Sequence, residues 1–390
     1  MAQSVIPYSR QVILYYCLSL LIFGTFVGFL YFDAQEHAWS STVILSPKIA
    51  AYDYVKQSYK EKDTESIKLT VKTVLFWNIP SWAYSNMFRG CEYKCVLTTD
   101  KSKMAVQSAI IFHVPTMGGK PPKKPAGQVW VYYGVEPPTL YSNMNRWRRL
   151  FNWTINYRRD SDIISRYGSF ESTHLKTINK NASHIGELSI RKNRTATWFV
   201  GHCNTAGRRE TFVKLLQKHM DVSIYGRCGT QICKESGPAS AWGKNCLQNV
   251  EKDTRYYLSF ENSLCRDYMT EKAYKVFNTH SLVPVVRGGA NYSLYLPPET
   301  FIDSSRFENA TSLSKYLVEI KTNKTAFTRL FENRNIHKTN YNDNWGTRPF
   351  CEMCRRLHYP KKYSRLYEDV SVWSRGRGDI AFCKKPTDLV

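Results

Sequence analysis

A chain of 390 residues is long enough for two domains of ordinary size, and 43% hydrophobic with 14% aromatic residues is a globular composition. The formal net charge of +23 would suit nucleic acid, an anionic membrane surface or anionic small molecules. The basic residues are spread along the chain and no zinc-finger or RNA-recognition consensus appears, so nucleic acid is set aside as a partner.

Residues 12 to 32 run from Val12 to Phe32 without a single charge. At about 1.5 Å per residue such a run spans a hydrocarbon core of about 30 Å. Arg10 precedes it and Asp33 and Glu36 follow, which favours a cytoplasmic N-terminus. A cleaved signal peptide would end in small residues, whereas this run ends in Phe29-Leu-Tyr-Phe32. The expectation is a cytoplasmic tail over 1–11, a signal anchor over 12–32 and a polar stem over 33–69. Of the eleven cysteines, Cys17 lies in the anchor. The other ten form an even set, which points to an oxidising compartment. Cys351-x-x-Cys354 has no second CxxC to complete a zinc site, and Cys228 and Cys233 likewise read as disulfide cysteines.

From Val71 the pattern turns α/β. Thr73–Trp77, Val106–Val114 and Val129–Tyr133 read as strands. Between the last two lies Met117-Gly-Gly-Lys-Pro-Pro-Lys-Lys-Pro125, a basic loop. Glu136 follows a strand end in Gly134-Val-Glu-Pro-Pro138, and Pro137 holds it in extended geometry. A turn-capping glutamate is the plain reading; a carboxylate displayed at a strand end is the functional one. The run Phe151-Asn-Trp-Thr-Ile-Asn-Tyr-Arg-Arg-Asp-Ser-Asp-Ile163 follows. Taken alone, Asp160-Ser-Asp162 would suggest a DxD metal site, although two aspartates on a polar loop are common.

Residues 170–195 are polar and mark a boundary between a first domain over 70–180 and a second over 195–350. Asn181 and Asn193 begin sequons there, and Asn152, Asn291, Asn309 and Asn323 begin four more, which suits a lumenal protein. Asn152 sits in an apolar block and is the one expected to stay unmodified. The second domain opens with a strand, Ala196–Val200. A polar loop, Gly201-His-Cys-Asn-Thr-Ala-Gly207, leads to a helix over 208–220 and a strand over 222–226. The loop lacks GxGxxG, so phosphates would be held by helix starts and basic side chains.

Tyr256–Phe260 then reads as a buried strand. Glu261-Asn262-Ser263 breaks it. A helix follows through Met269, Ala273, Val276, Phe277 and His280, with Asp267 and Thr270 as candidate caps, and Leu282–Val286 is the next strand. This is a parallel βαβ unit, in which ligands sit at strand carboxyl ends and helix N-termini. Glu261, Asn262, Ser263, Glu271 and Lys272 all fall there. Ser312–Phe331 reads as one amphipathic helix, and 351–390 as a C-terminal tail.

These blocks carry a resemblance. Phe260-Glu-Asn-Ser263 followed by Asp267-Tyr-x-Thr-Glu-Lys272 resembles the donor signature of α1,3-fucosyltransferases, glycosyltransferase family ten. The block at 152–163, continued by Tyr167-Gly168, is similar to a second signature of that family. The resemblance covers roughly residues 73 to 383. It implies an α/β GT-B fold, two Rossmann-like domains facing a cleft, in a single-pass type II Golgi membrane protein. It implies inverting transfer of L-fucose from GDP-β-L-fucose to the 3-hydroxyl of N-acetylglucosamine on N-glycans, with no required cofactor or metal; stimulation by a divalent cation is compatible with it. It implies Glu136 as the base, with Asp160 and Asp162 as competitors. Arg209 and Lys272 would meet the diphosphate, and Glu271 the ribose. Glu261, Asn262, Ser263 and Tyr167 would line the donor pocket, and Arg158, Arg159, Asp160 and Asp162 would build the cleft. The family's vertebrate members usually have Ser-Asn where Gly201-His202 stands. The tail, and Ile224-Tyr-Gly-Arg-Cys-Gly-Thr-Gln-Ile-Cys233, resemble the invertebrate and plant enzymes that fucosylate the N-glycan core. In those relatives the tail CxxC, here Cys351 and Cys354, is bridged back to cysteines whose counterparts are Cys91 and Cys95. An antennal, Lewis-type acceptor and an inactive glycan-binding relative are the alternative readings.

Overall fold

The computed structural model describes residues 70–81, 83, 86–172, 182–231, 244–279, 281–332, 337–339 and 348–390. The apolar run 12–32, the stem, Asn181, Cys233 and His280 lie outside them. No helix among the described residues is long and apolar enough to cross a membrane.

Six parallel strands make the first sheet: β1 (Lys72–Phe76), β2 (Cys95–Thr98), β3 (Ala109–His113), β4 (Val129–Gly134), β5 (Trp153–Asn156) and β6 (Ile163–Ile164), in the order β2-β1-β3-β4-β5-β6. The central strands are apolar at nearly every position because both faces are covered. Val74, Ile111, Val131, Tyr133 and Ile155 face one layer, and Leu75, Ile110, Phe112, Trp130 and Tyr132 the other. The connections among the described residues are 3-10 turns rather than α-helices. Pro115, Pro121, Pro122, Pro125, Pro137 and Pro138 explain this, since each removes a helical N–H. The strand expected from Val106 starts only at Ala109, because 101–106 forms a 3-10 turn capped by Asp100.

A short strand β7 (Phe170–Ser172), paired antiparallel with β14 (His337–Thr339), and helix α1 (Ala182–Ile190) lead into the second sheet. Its parallel strands are β8 (Arg194–Phe199), β9 (Val222–Tyr225), β10 (Thr254–Phe260), β12 (Val283–Arg287) and β13 (Ile302–Asp303), in the order β13-β12-β10-β8-β9. Helix α2 (Arg209–Leu216) follows β8, α3 (Lys244–Glu251) precedes β10, and β11 (Leu264–Cys265) follows it.

The helix expected through His280 is a single α turn, α4 (Glu271–Tyr274), that tightens to 3-10 over Lys275–Asn278. Thr270 is its N-cap residue but makes no side-chain cap bond. Asp267 is not a cap; it takes a left-handed φ of 63° and accepts from the Arg159 backbone N–H (3.3 Å) and the Tyr295 hydroxyl (2.8 Å). The helix expected over 312–331 is two, α5 (Ala310–Glu319) and α6 (Lys324–Glu332). Asn323 parts them by accepting from the backbone N–H of Ala326 at 3.0 Å, which starts a new helix.

The C-terminal region completes both halves. Helix α7 (Arg348–His358) buries Phe350, Met353 and Leu357 against the first sheet, and Tyr367 and Val370, at the start of α8 (Val370–Arg375), cover its other face. Disulfides Cys91–Cys351 and Cys95–Cys354 fix α7 to the edge strand, closing separations of 260 and 259 residues. Loops of that size support about 2–4 kcal/mol of stabilisation per bridge. Cys203–Cys228 ties the loop after β8 to that after β9, and Cys265–Cys383 ties β11 to strand β15 (Cys383–Lys384). Cys95, Cys354 and His358 are the one close grouping of metal-type ligands among the described residues, and both sulfurs are spent in the disulfide.

Candidate active site

The site is built where β4 and β10 end. Phe260 is the last residue of β10, and the backbone N–H of Glu261 still bonds to the Arg287 carbonyl at 2.8 Å. The chain therefore delivers the fully buried Glu261 side chain inward. Its carboxylate accepts from the Thr270 N–H (2.7 Å) and hydroxyl (2.9 Å) and pairs with Lys272 at 3.2 Å. Lys272 also donates to the Thr270 hydroxyl (2.7 Å) and to Glu271 (3.3 Å). One ammonium thus holds two carboxylates, and Thr270, read from sequence as a cap, is spent on Glu261. Burial alone would lower the Lys272 pKa, but Glu261 and Glu271 outweigh it and raise it. Burial pushes Glu271 up, yet Lys272 and then Lys275 hold it below its ordinary value. Lys275 is itself pushed down to about 7 by burial.

Glu136 comes from the first sheet, two residues beyond β4. The Tyr167 hydroxyl donates to the Val135 carbonyl at 2.8 Å, and the Tyr141 hydroxyl to the Glu136 carbonyl, so its backbone is held on both sides. Its carboxylate accepts from the Tyr268 hydroxyl at 3.2 Å. Tyr268 belongs to the 267–272 block, and its ring lies 5.0 Å from that of Tyr157. Burial raises the Glu136 pKa; Lys272 opposes this, and Glu271 and Glu261 add to it. Glu136 therefore shares one electrostatic environment with the Glu261–Lys272 cluster. Thr139 and Ser263 bond across at 2.8 Å, and a Cβ at Gly168 would meet the Tyr274 ring at 2.6 Å, so only glycine lets that ring so close. A half-buried carboxylate of raised pKa facing the Lys272 ammonium can take a proton while negative charge departs on the other side.

The remaining candidates are placed differently. Arg209 is 3% exposed and donates to the Phe260 and His202 carbonyls, both at 2.9 Å, clamping the 201–207 loop to the end of β10. Asn262 lies on that seam: its carbonyl accepts from Gly207 at 2.7 Å, and its buried Oδ1 has no hydrogen-bond partner among the described residues. Arg158 is buried between the rings of Trp373 and Phe382 and bonded to Asp160. Arg159 is exposed. Asp160 also pairs with Arg266 at 2.8 Å. Asp162 instead accepts from Thr154 and from Tyr367 (2.7 Å), and pairs with Arg365 at 2.9 Å. The two aspartates serve separate partners and each already faces arginine. Tyr268 and Arg287 carry no sequence expectation of their own, and Thr270 carries only that of a cap. Tyr268 and Thr270 stood inside the 267–272 block, while Arg287 gave no local signal.

Two family models match the chain. One, described as "Fucosyltransferase, N-terminal", covers residues 70–168, and the other, "Glycosyltransferase family 10 (fucosyltransferase) C-term", covers 189–373. Alpha-(1,3)-fucosyltransferase C of Drosophila melanogaster is 30% identical over 72% of this chain and 69% of its own length. The chain belongs to glycosyltransferase family 10, the fucosyltransferases. Alpha-(1,3)-fucosyltransferase 7 of Rattus norvegicus is 31% identical over 77% of this fucosyltransferase and 79% of the relative. A crystal structure of an α1,3-fucosyltransferase with GDP-fucose has the same fold, with a TM-score of 0.50 at 13% identity over 84% of this chain and 100% of that one.

The placement of Asn152 bears on glycosylation of this fucosyltransferase. Its amide nitrogen donates to the Arg365 carbonyl at 2.8 Å, and its oxygen accepts from Trp130 (2.9 Å) and Lys124 (2.6 Å). Asn193, Asn291 and Asn323 are exposed, and Asn309 is half-buried with its oxygen accepting from Ser312. Glycopeptide mapping of secreted protein is expected to find Asn152 bare and glycan on the exposed sequons. A glycan on Asn152 in folded protein would contradict this packing.

Proposed function

We propose that this fucosyltransferase moves L-fucose from GDP-β-L-fucose to the 3-hydroxyl of N-acetylglucosamine, with inversion, and that its acceptor is the Asn-linked core residue of an N-glycan. The observation that carries the reaction is the convergence of Glu136 with the Glu261–Thr270–Lys272 cluster from two separate parallel sheets. We read this as a GT-B arrangement, with the acceptor on the β4 side and the donor on the β10 side. Glu136 takes the proton from the attacking hydroxyl. Lys272 and Arg209 meet the diphosphate as it leaves, and Glu271 bonds the ribose hydroxyls. The free Asn262 Oδ1 accepts from a donor-sugar or base group, beside Ser263 and Tyr167.

Localisation is part of the same reading. Four disulfides among the described residues call for an oxidising compartment, and the uncharged run 12–32 suits an anchor. A single-pass type II Golgi protein with a lumenal catalytic region satisfies both.

The acceptor is tested by offering a biantennary glycopeptide with GDP-fucose and fragmenting the product in a mass spectrometer. Fucose on the Asn-linked N-acetylglucosamine is expected. Fucose only on the antennae would make the enzyme Lewis-type. Because Asp160 and Asp162 are committed to Arg158, Arg266 and Arg365, the reaction should retain most of its rate in excess EDTA. Loss of activity that manganese restores would contradict their role as cleft-building residues.

A further inference from the structure

Arg287, the last residue of β12, is 2% exposed, and each of its three guanidinium nitrogens donates a hydrogen bond. Nε and one terminal nitrogen bond the two carboxylate oxygens of Asp388, both at 2.7 Å. The other terminal nitrogen donates to the Gly207 carbonyl at 2.8 Å. The Arg287 carbonyl accepts from Glu261, and the Gly207 N–H bonds to the Asn262 carbonyl at 2.7 Å. The peptide groups of Gly207 are thus held from both sides, by Asn262 and by Arg287. The next residue, Arg208, takes a left-handed φ of 46°, and α2 begins with Arg209. The Arg287 guanidinium also lies over the Phe212 ring, at 4.5 Å, on the same helix. A buried arginine needs a counter-charge, and among the described residues the carboxylate that pairs with Arg287 is Asp388. It comes from the C-terminal segment. Strand β15 runs antiparallel to β11, immediately after Glu261-Asn-Ser263, and Cys265–Cys383 locks the two. Five residues beyond Cys383 the chain presents Asp388, and Leu389 packs against the core of the second sheet.

We propose that Asp388 is a positioning residue for donor binding: through Arg287 it sets the Gly207 turn, and hence the first turn of α2 with Arg209, against Glu261 and Asn262. This rests on the reading that the nucleotide is held between that loop and the 261–272 block. Asp388 acts through Arg287, and so on affinity rather than on the chemical step. Without its carboxylate the guanidinium is drawn to other acceptors, and the Gly207 carbonyl loses a fixed donor.

The test compares the wild-type protein with Asp388→Ala, Asp388→Glu and Leu389→Ala, using GDP as the probe in calorimetry and GDP-fucose in kinetics. Asp388→Ala is expected to weaken GDP binding and raise the KM for GDP-fucose about tenfold, with kcat at saturating donor within about twofold. Asp388→Glu is expected to recover most of the affinity. Leu389→Ala, which loses only core packing, is expected to lower Tm while leaving GDP affinity unchanged. Asp388→Ala with wild-type GDP affinity, or a loss shared equally by Leu389→Ala, would overturn the positioning role. Failure of the wild-type protein to bind GDP would instead overturn the reading of the donor site.

Discussion

Replacing Glu136 by glutamine is expected to cut kcat by roughly 10²–10⁴, the range for losing a general base, with GDP affinity nearly unchanged. Glutamine keeps the size and can still accept from the Tyr268 hydroxyl, so the pocket persists while the basic oxygen is lost. The pH profile adds a signature. Burial raises the Glu136 pKa above its ordinary 4.5, and a base works only when ionised. Activity therefore falls as pH drops through the raised value, and the acid limb of kcat/KM lies above that of an ordinary glutamate. The glutamine variant should lose the limb along with the rate. Near-normal kcat in Glu136→Gln would move the base elsewhere, and Asp162 is disfavoured because Thr154, Tyr367 and Arg365 already hold it.

The second large effect belongs to Lys272. Lys272→Ala removes the only ammonium bonded to Glu261 and Glu271 among the described residues. GDP binding is expected to weaken by about 1.5–3 kcal/mol, the range for a hydrogen bond to a charged group. Stability should fall as well, because Glu261 is buried and loses its counter-charge, a change that costs about 3–5 kcal/mol at buried pairs. Adding Glu261→Gln separates the two effects. The double variant should regain much of the lost stability, measured by denaturant unfolding, without regaining GDP affinity, measured by calorimetry. Recovery of both would show that Lys272 serves only to neutralise Glu261.

The parts of this enzyme that were legible in sequence are those with local causes. β3, β4 and β10 are apolar runs because both faces of their sheets are covered, and Glu136 and Glu261 are conspicuous as carboxylates where such runs stop. β5 gives no clear strand signal, since Trp153–Asn156 sits in a block dense in arginine and aspartate. The break at Asn323 was hidden because the apolar period continues across it; only the cap bond to Ala326 reveals two helices. Thr270 looked like a cap because caps and carboxylate ligands use the same hydroxyl, and its actual partner is nine residues away. The Arg287–Asp388 pair spans 101 residues and leaves no periodic or spacing signal. The tail carried a disulfide expectation from resemblance, but not its part in covering both faces of the first sheet, which depends on topology.

The most direct measurement is nuclear magnetic resonance of the product formed from GDP-β-L-fucose and an N-glycan acceptor. The proposed roles, a base on one wall and the leaving diphosphate on the other, require attack from the face opposite GDP. The expected result is one new α-anomeric fucose, linked to O3 of N-acetylglucosamine, formed as GDP is released. A β-linked fucose, linkage to another hydroxyl, or no consumption of GDP-fucose by protein that binds GDP would contradict the assignment of Glu136 and the 261–272 block to opposite sides of one reacting bond.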